Sequence, residues 1–131
     1  MCDAGITTVG TDAEGNSYNI NADTAAGEVA MALEADRVIY MTNVKGIMSE
    51  SGELISWLDA AGCRRILESG GVSQGMIPKV TSCLSVVESG VDSATVLDGT
   101  VEHALLLEVF TDEGVGTMIT LDPRQSAGAG V

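Results

Sequence analysis

Apolar and polar positions alternate along the chain in short blocks of two different periods. Ile6 to Val9 (ITTV) reads as a strand, Asp12 to Asn16 (DAEGN) as a turn around Gly15, and Ser17 to Ile20 as the returning strand of a hairpin. From Asn21 or Asp23 the period changes. Ala22, Ala25, Ala26, Val29, Ala30 and Leu33 form a stripe of mostly small residues at helical spacing, suited to close packing on a sheet. Arg37 to Thr42 (RVIYMT) is β-branched and aromatic, the composition of a buried strand. Asn43 to Gly52 reads as a loop. Asp59 to Ser69 reads as a helix capped by Asp59 and broken by Gly70 and Gly71. Met76 to Ser89 is a further helix, with Pro78 in its first turn and Gly90 at its end. Ser93 to Leu97 is a strand followed by an Asp98-Gly99 turn, His103 to Phe110 a short helix, and Thr117 to Leu121 a last strand. Gln125 to Val131 (QSAGAGV) is a small-residue tail expected to be disordered.

Strands alternating with helices predict an α/β fold, a mixed and mainly parallel sheet with helices on both faces. Such sheets bind ligands beyond the carboxyl ends of their strands. Three segments lie there: Tyr18 to Thr24, Thr42 to Met48, and Gly71 to Lys79.

Composition narrows the chemistry. The 131 residues are 45% hydrophobic but only 3% aromatic, so the core must be aliphatic. The formal net charge of −13 disfavours nucleic acid and anionic membrane surfaces as partners. A phosphorylated ligand would have to be held by a few placed cations, backbone N–H groups or a metal, because the only lysines are Lys45 and Lys79. Cys2, Cys63 and Cys83 are odd in number and widely spaced, with no CxxC pair, which points to reduced thiols in a cytosol-like compartment. No apolar run reaches membrane-spanning length. Met1 to Gly5 leads almost directly into a strand-like run, as expected of a chain that begins mid-fold.

Asn19, Asn21 and Asp23 converge at a strand-to-helix junction. They read either as helix caps or as a polar pocket in which Asp23 orders a neighbouring cation. Lys79 sits in the first turn of its helix, where a cation is disfavoured by about 0.3–1 kcal/mol unless an anion lies at that terminus. It reads either as an exposed lysine or as one arm of an anion site, with Gly71 to Gly75 allowing close backbone approach. His103 reads as structural, the methionines as core filler, and Arg64 and Arg65 as part of a solvated helix face.

Four segments in order, YNINADTAAGEVAMAL (Tyr18 to Leu33), VIYMTNVKGI (Val38 to Ile47), SQGMIPKV (Ser73 to Val80) and HALLLEVFTDEGVGTMI (His103 to Ile119), resemble the amino-acid kinase superfamily, and its N-acetylglutamate kinases in particular. The resemblance covers nearly the whole chain up to Leu121. It implies the C-terminal, ATP-binding lobe of that fold over residues 1–121, with residues 1–20 a hairpin at the lobe junction and 122–131 a tail. It also implies phosphoryl transfer from ATP, with Mg2+ held mainly by the nucleotide phosphates, to the side-chain carboxylate of N-acetyl-L-glutamate in arginine biosynthesis.

By motif position, Lys79 and Asp23 would be catalytic and Asn19 and Asn21 would bind substrate. Thr42, Asn43, Val44, Lys45, Gly46, Ile47 and Met48, with Gly71, Val72 and Ser73, would contact the nucleotide. No protein metal ligands are implied. Two departures stand out: Thr42-Asn43-Val44 replaces the usual Thr-Asp-Val, and the family's N-terminal Lys-x-Gly-Gly phosphate loop and substrate arginine are absent. A lone chain is then expected to be inactive and to need an N-terminal kinase half. Thr111 to Thr117 resembles the arginine-sensitive, hexameric members, implying arginine as an inhibitor and a homo-oligomeric parent enzyme. The compartment implied is the cytoplasm, or a plastid for a photosynthetic eukaryote. The alternatives are a non-catalytic nucleotide- or arginine-binding module, and a kinase for a related amino acid such as an aminoadipate derivative.

Overall fold

The computed structural model describes residues 5–111 and 114–123. The first two strands, β1 (Val9–Thr11) and β2 (Ser17–Asn19), pair antiparallel as a hairpin of their own, with Thr11 opposite Ser17. The expected first strand, Ile6 to Val9, thus begins three residues and ends two residues further along the chain. Asp12 is the reason. Its carboxylate accepts from the backbone N–H groups of Glu14 and Asn16, the Asn16 side-chain amide and the Tyr18 hydroxyl, at 2.8–3.0 Å. That closed turn sets the register, and only Thr8 continues the ladder, accepting from Ile20 N.

A four-stranded sheet carries the rest, in the order β3 (Arg37–Thr42), β5 (Ser93–Asp98), β6 (Thr117–Thr120), β4 (Trp57–Asp59). The outer pairings β3·β5 and β4·β6 are parallel, and only β5·β6 is antiparallel. This is the mixed, mainly parallel sheet that the alternation of periods predicts. Strand β4 lies in a segment left unassigned by the periodicity. It is held by Met118 N donating to Ser56 O and by the Trp57 indole N–H donating to Thr120 Oγ1 at 2.9 Å.

Three helices line up over one sheet face: α1 (Ala22–Ala32), α2 (Ala60–Ser69) and α3 (Ile77–Glu88), with α3 touching both others. Asn21 caps α1 by accepting from Asp23 N and Thr24 N, and Asp59 caps α2 by accepting from Gly62 N at 2.6 Å. Gly70, left-handed at φ 71°, ends α2. Pro78 lies in the first turn of α3, as expected. A short helix, α4 (Ala104–Phe110), connects β5 to β6. Beneath the helices Val38, Tyr40, Ala94, Val96 and Ile119 of the sheet meet Val80, Cys83, Val86 and Val87 of α3. Each fully buried valine contributes about 1.5–3 kcal/mol of transfer free energy.

Two sequence expectations are corrected here. The small-residue stripe of α1 faces the core only in part: Ala30 is buried in it and Ala25 and Val29 are half-buried, but Ala22, Ala26 and Leu33 are exposed, and the other buried position, Gly27, lies outside the stripe. Gly27 faces α3, where a Cβ would lie 3.1 Å from Ser82 Oγ, and Ala22, Ala26 and Val29 line a groove beside β3. Methionine fills the core at Met76 and packs against it at Met31, but Met41 and Met48 are exposed. Of the expected tail, residues 124–131 lie outside the described residues, as do Cys2, Asp112 and Glu113.

Candidate functional site

Helices α1 and α3 each run back along the strand that follows them, through the short connections 33–36 and 89–92. Their N-termini therefore stand at the carboxyl ends of β3 and β5. The loop from α2 to α3, residues 70–76, arrives at the same end, as do Thr42 and Asp98, which are register partners. Topology thus gathers the three candidate segments at one end of the sheet.

At the centre lies a charged pair joining residues 56 apart in sequence. Lys79 Nζ donates to both carboxylate oxygens of Asp23, at 2.9 and 3.0 Å. The two side chains are only 22% and 17% exposed, which excludes the solvated-lysine reading. Among the described residues no side chain caps α3, so N–H groups of its first turn are left without an intrahelical acceptor near the ammonium. Asp23, in the first turn of α1, sits within reach of two helix N-termini and one ammonium. The region therefore concentrates positive potential around a single carboxylate.

The remaining candidates separate into exposed and structural groups. Asn19, at the end of β2, is exposed. Asn21 turns its carboxamide oxygen onto the α1 N–H groups, so its amide nitrogen remains to donate outward. Asn43, Val44 and Lys45 are exposed, Thr42 is half-buried, and Met48 is 37% exposed. Gly46 and Ile47 instead anchor the loop to β6. Gly46 has φ 145°, and a Cβ there would lie 2.6 Å from Thr117 Oγ1. Ile47 is buried in the core and donates its N–H to that same hydroxyl, which in turn donates a hydrogen bond to Ile55 O. In the second loop Gly71 and Ser73 are exposed, while Val72 packs against the core.

His103 is exposed at the start of α4 in a left-handed conformation, without a capping bond. Arg64 lies on the exposed face of α2 and pairs with Glu88. Cys63 and Cys83 are buried free thiols, and burial pushes the Cys63 thiol up to about 11 and raises Cys83 as well. Among the described residues no group of three or more His, Cys, Asp or Glu is placed to hold a metal ion.

Sequence reasoning missed three residues beside this site. Asp98 ends β5 next to Thr42, and its carboxyl is held below the usual range by the Thr100 hydroxyl and N–H, with Lys45 adding a smaller effect. Its position at the end of a β-rich run was a usable signal. Tyr40 and Ser82 meet beneath Asp23, with Tyr40 Oη 2.7 Å from Ser82 Oγ and Ser82 donating to Asp23 O at 2.9 Å. Burial pushes the Tyr40 phenol up to about 12. Nothing in the linear pattern marks that contact.

Residues 4–98 match the profile of the amino acid kinase family. Acetylglutamate kinase of Hydrogenovibrio crunogenus is 50% identical over 115 residues, covering 88% of this chain and 39% of that protein. The enzyme of Campylobacter curvus is 51% identical over 114 residues, 87% of this chain and 41% of that protein. The chain therefore spans about two fifths of the length of these relatives. Among solved structures, N-acetylglutamate synthase from Neisseria gonorrhoeae, complexed with coenzyme A and L-arginine, superposes with a TM-score of 0.84 at 28% identity, over 89% of this chain and 27% of that one. Carbamate kinase from Giardia lamblia bound to AMP-PNP shares the fold, with a TM-score of 0.66 at 18% identity over 87% of this chain and 37% of that one.

Proposed function

The chain belongs to the amino acid kinase family, and from that premise we propose that it is the nucleotide-binding lobe of an acetylglutamate kinase. The reaction is transfer of the γ-phosphoryl group of ATP to the side-chain carboxylate of N-acetyl-L-glutamate. The observation that carries this reading is the Lys79–Asp23 pair at the uncapped N-terminus of α3. Phosphoryl transfer requires positioning and charge neutralisation more than covalent participation by the protein. Lys79 and the α3 N–H groups neutralise charge on the transferring group. Asp23 keeps the ammonium aimed when no phosphate is bound. Asn19 and the Asn21 amide nitrogen hold the acetylamino acid. The exposed parts of the loops 42–48 and 71–73 take the nucleotide, and Mg2+ enters with it, bound mainly by the phosphates.

Asn43, with a neutral amide in place of a carboxylate, keeps hydrogen-bonding capacity but contributes no charge to nucleotide binding. Gly46, Ile47 and Val72 act by shaping the loops from below. The compartment we assign is the cytoplasm, and no helix among the described residues is long and apolar enough to cross a membrane.

The lobe needs a complement. Among the described residues strand β3 has a neighbour on one side only. Beside its free edge lies an apolar groove of about 490 Å³, lined by Ile6, Ala22, Ala26, Val29 and Ile39 among others. An unpaired edge next to an open apolar groove is a surface suited to another strand. Its partner in this reading is an N-terminal kinase half carrying the phosphate loop and the substrate arginine. The test is a hydroxamate assay for acyl phosphate with this chain plus the corresponding half of the Hydrogenovibrio crunogenus relative. N-acetyl-L-glutamate should be turned over in preference to N-acetyl-aminoadipate. The reverse preference would assign the lobe to a kinase of aminoadipate derivatives.

A second reading is favoured by the superposition on a synthase crystallised with L-arginine. It is an arginine-binding module without phosphotransfer. Calorimetric binding of arginine that persists in Lys79→Met, together with no acyl phosphate in the complemented assay, would select it. In the first reading arginine is instead an inhibitor of a homo-oligomeric enzyme.

A further inference from the structure

We propose that Tyr40 and Ser82 are positioning residues that fix Asp23, and through it the Lys79 ammonium, in one arrangement. A hydroxyl has one proton to give. Ser82 Oγ donates its proton to the Asp23 carbonyl at 2.9 Å. The 2.7 Å contact between Tyr40 Oη and Ser82 Oγ is therefore donated by the tyrosine. The chain runs in one direction: Tyr40 O–H to Ser82 Oγ, then Ser82 O–H to Asp23 C=O. Its far end is packed in the core, where Tyr40 is 4% exposed on β3.

Ser82 follows Lys79 by three residues on α3, so both side chains project from one helix face. Together they grip a single residue of α1 at two points. The ammonium holds the Asp23 carboxylate and the hydroxyl holds its carbonyl. Two points of attachment on one residue hold the orientation of its carboxylate more closely than the ion pair alone. Gly27, one turn further along α1, permits this approach, since a Cβ there would lie 3.1 Å from Ser82 Oγ and 3.5 Å from Tyr40 Oη. The aromatic ring of β3, the hydroxyl of α3 and the glycine of α1 thus form one device beneath the charged pair. Its catalytic consequence rests on the phosphotransfer reading above, but its geometry does not.

The chain contains two lysines, so [15N]lysine labelling yields two side-chain ammonium groups. Proton exchange of the Lys79 ammonium with water is then read by NMR, with exposed Lys45 as internal reference. Tyr40→Phe and Ser82→Ala should each accelerate Lys79 exchange about five-fold, and Ser82→Thr should restore it. Val87→Ala, a fully buried change on the same helix, should lower Tm without moving Lys79 exchange. The proposal is overturned if Lys79 exchange is unmoved in Tyr40→Phe and Ser82→Ala, or moves as much in Val87→Ala. Should Ser82→Ala fail to fold, Tyr40→Phe, which removes one oxygen atom, carries the test. In a working complemented enzyme, Tyr40→Phe should lower kcat about ten-fold with KM unchanged, and an unchanged kcat would also overturn it. Altered Lys79 exchange in a pairing of halves that gives no acyl phosphate refutes the phosphotransfer reading and leaves this one standing.

Discussion

Exchanging Asp23 for Asn and Lys79 for Met, singly and together, separates the charged pair from the helix termini that surround it. The side chains are 17% and 22% exposed, between the surface and buried classes of ion pair. Breaking such a pair from one side should cost about 1–3 kcal/mol, above the value for exposed pairs and below that for fully buried ones. The two halves are unequal. In Lys79→Met the remaining carboxylate stays in the first turn of α1 and faces the start of α3, where helix dipoles favour an anion by about 0.3–1 kcal/mol. In Asp23→Asn the ammonium is left in the first turn of α3, disfavoured by a similar amount. Asp23→Asn should therefore destabilise by about 2 kcal/mol and Lys79→Met by about 1 kcal/mol. The double variant should fall short of their sum by about 1 kcal/mol. Urea unfolding followed by circular dichroism measures all four proteins. A larger loss in Lys79→Met than in Asp23→Asn, or strict additivity, would refute the reasoning.

Three further outcomes follow from the same structure. Gly46→Ala should cost at least about 2 kcal/mol in urea unfolding, because φ 145° is closed to alanine and the new Cβ would meet Thr117 Oγ1 at 2.6 Å. Asp12 has its carboxyl lowered from 3.8 to about 2, chiefly by hydrogen bonds from Asn16. A depressed folded-state value contributes stability that is complete above pH 3.8 and is lost as pH falls through about 2. Tyr18 chemical shifts should accordingly hold at pH 4 and collapse toward random-coil values near pH 2, whereas in Asp12→Ala they should be collapsed at both. Cys63 and Cys83, buried and with raised thiol values, should resist alkylation at pH 8 in the native chain and react within minutes in urea, as mass-spectrometric mapping would read.

Much of the scaffold was legible because local chemistry announces it. Asp59 before α2, Pro78 at the start of α3 and the glycines at 70 and 90 mark helix boundaries through capping and φ preference alone. Asp23 and Lys79 could be singled out separately, one as a carboxylate at a strand-helix junction, the other as a cation at the wrong end of a helix. Their meeting is a tertiary event that neither local pattern contains. Strand β4 was illegible for a related reason. It has three residues, and its pairing partner lies some sixty positions further along the chain. The alanine stripe of α1 was legible only in part because small residues suit either a core or an open face: Ala30 is buried, Ala22 and Ala26 are exposed, and Gly27 faces Ser82 and Tyr40. The hairpin register followed a side chain, Asp12, rather than the apolar pattern. Ile47 was assigned to a ligand loop by its position, yet the hydroxyl of Thr117, 70 residues on, draws it into the core.

The most direct measurement is acyl-phosphate formation, trapped as hydroxamate, by this chain alone, by the chain with a complementary N-terminal half, and by the complemented Lys79→Met variant. No turnover alone, turnover on complementation, and a loss of about a hundred-fold or more in kcat on removing Lys79 are the results this account predicts. Full turnover by the lone chain, or a complemented enzyme indifferent to Lys79→Met, would contradict it.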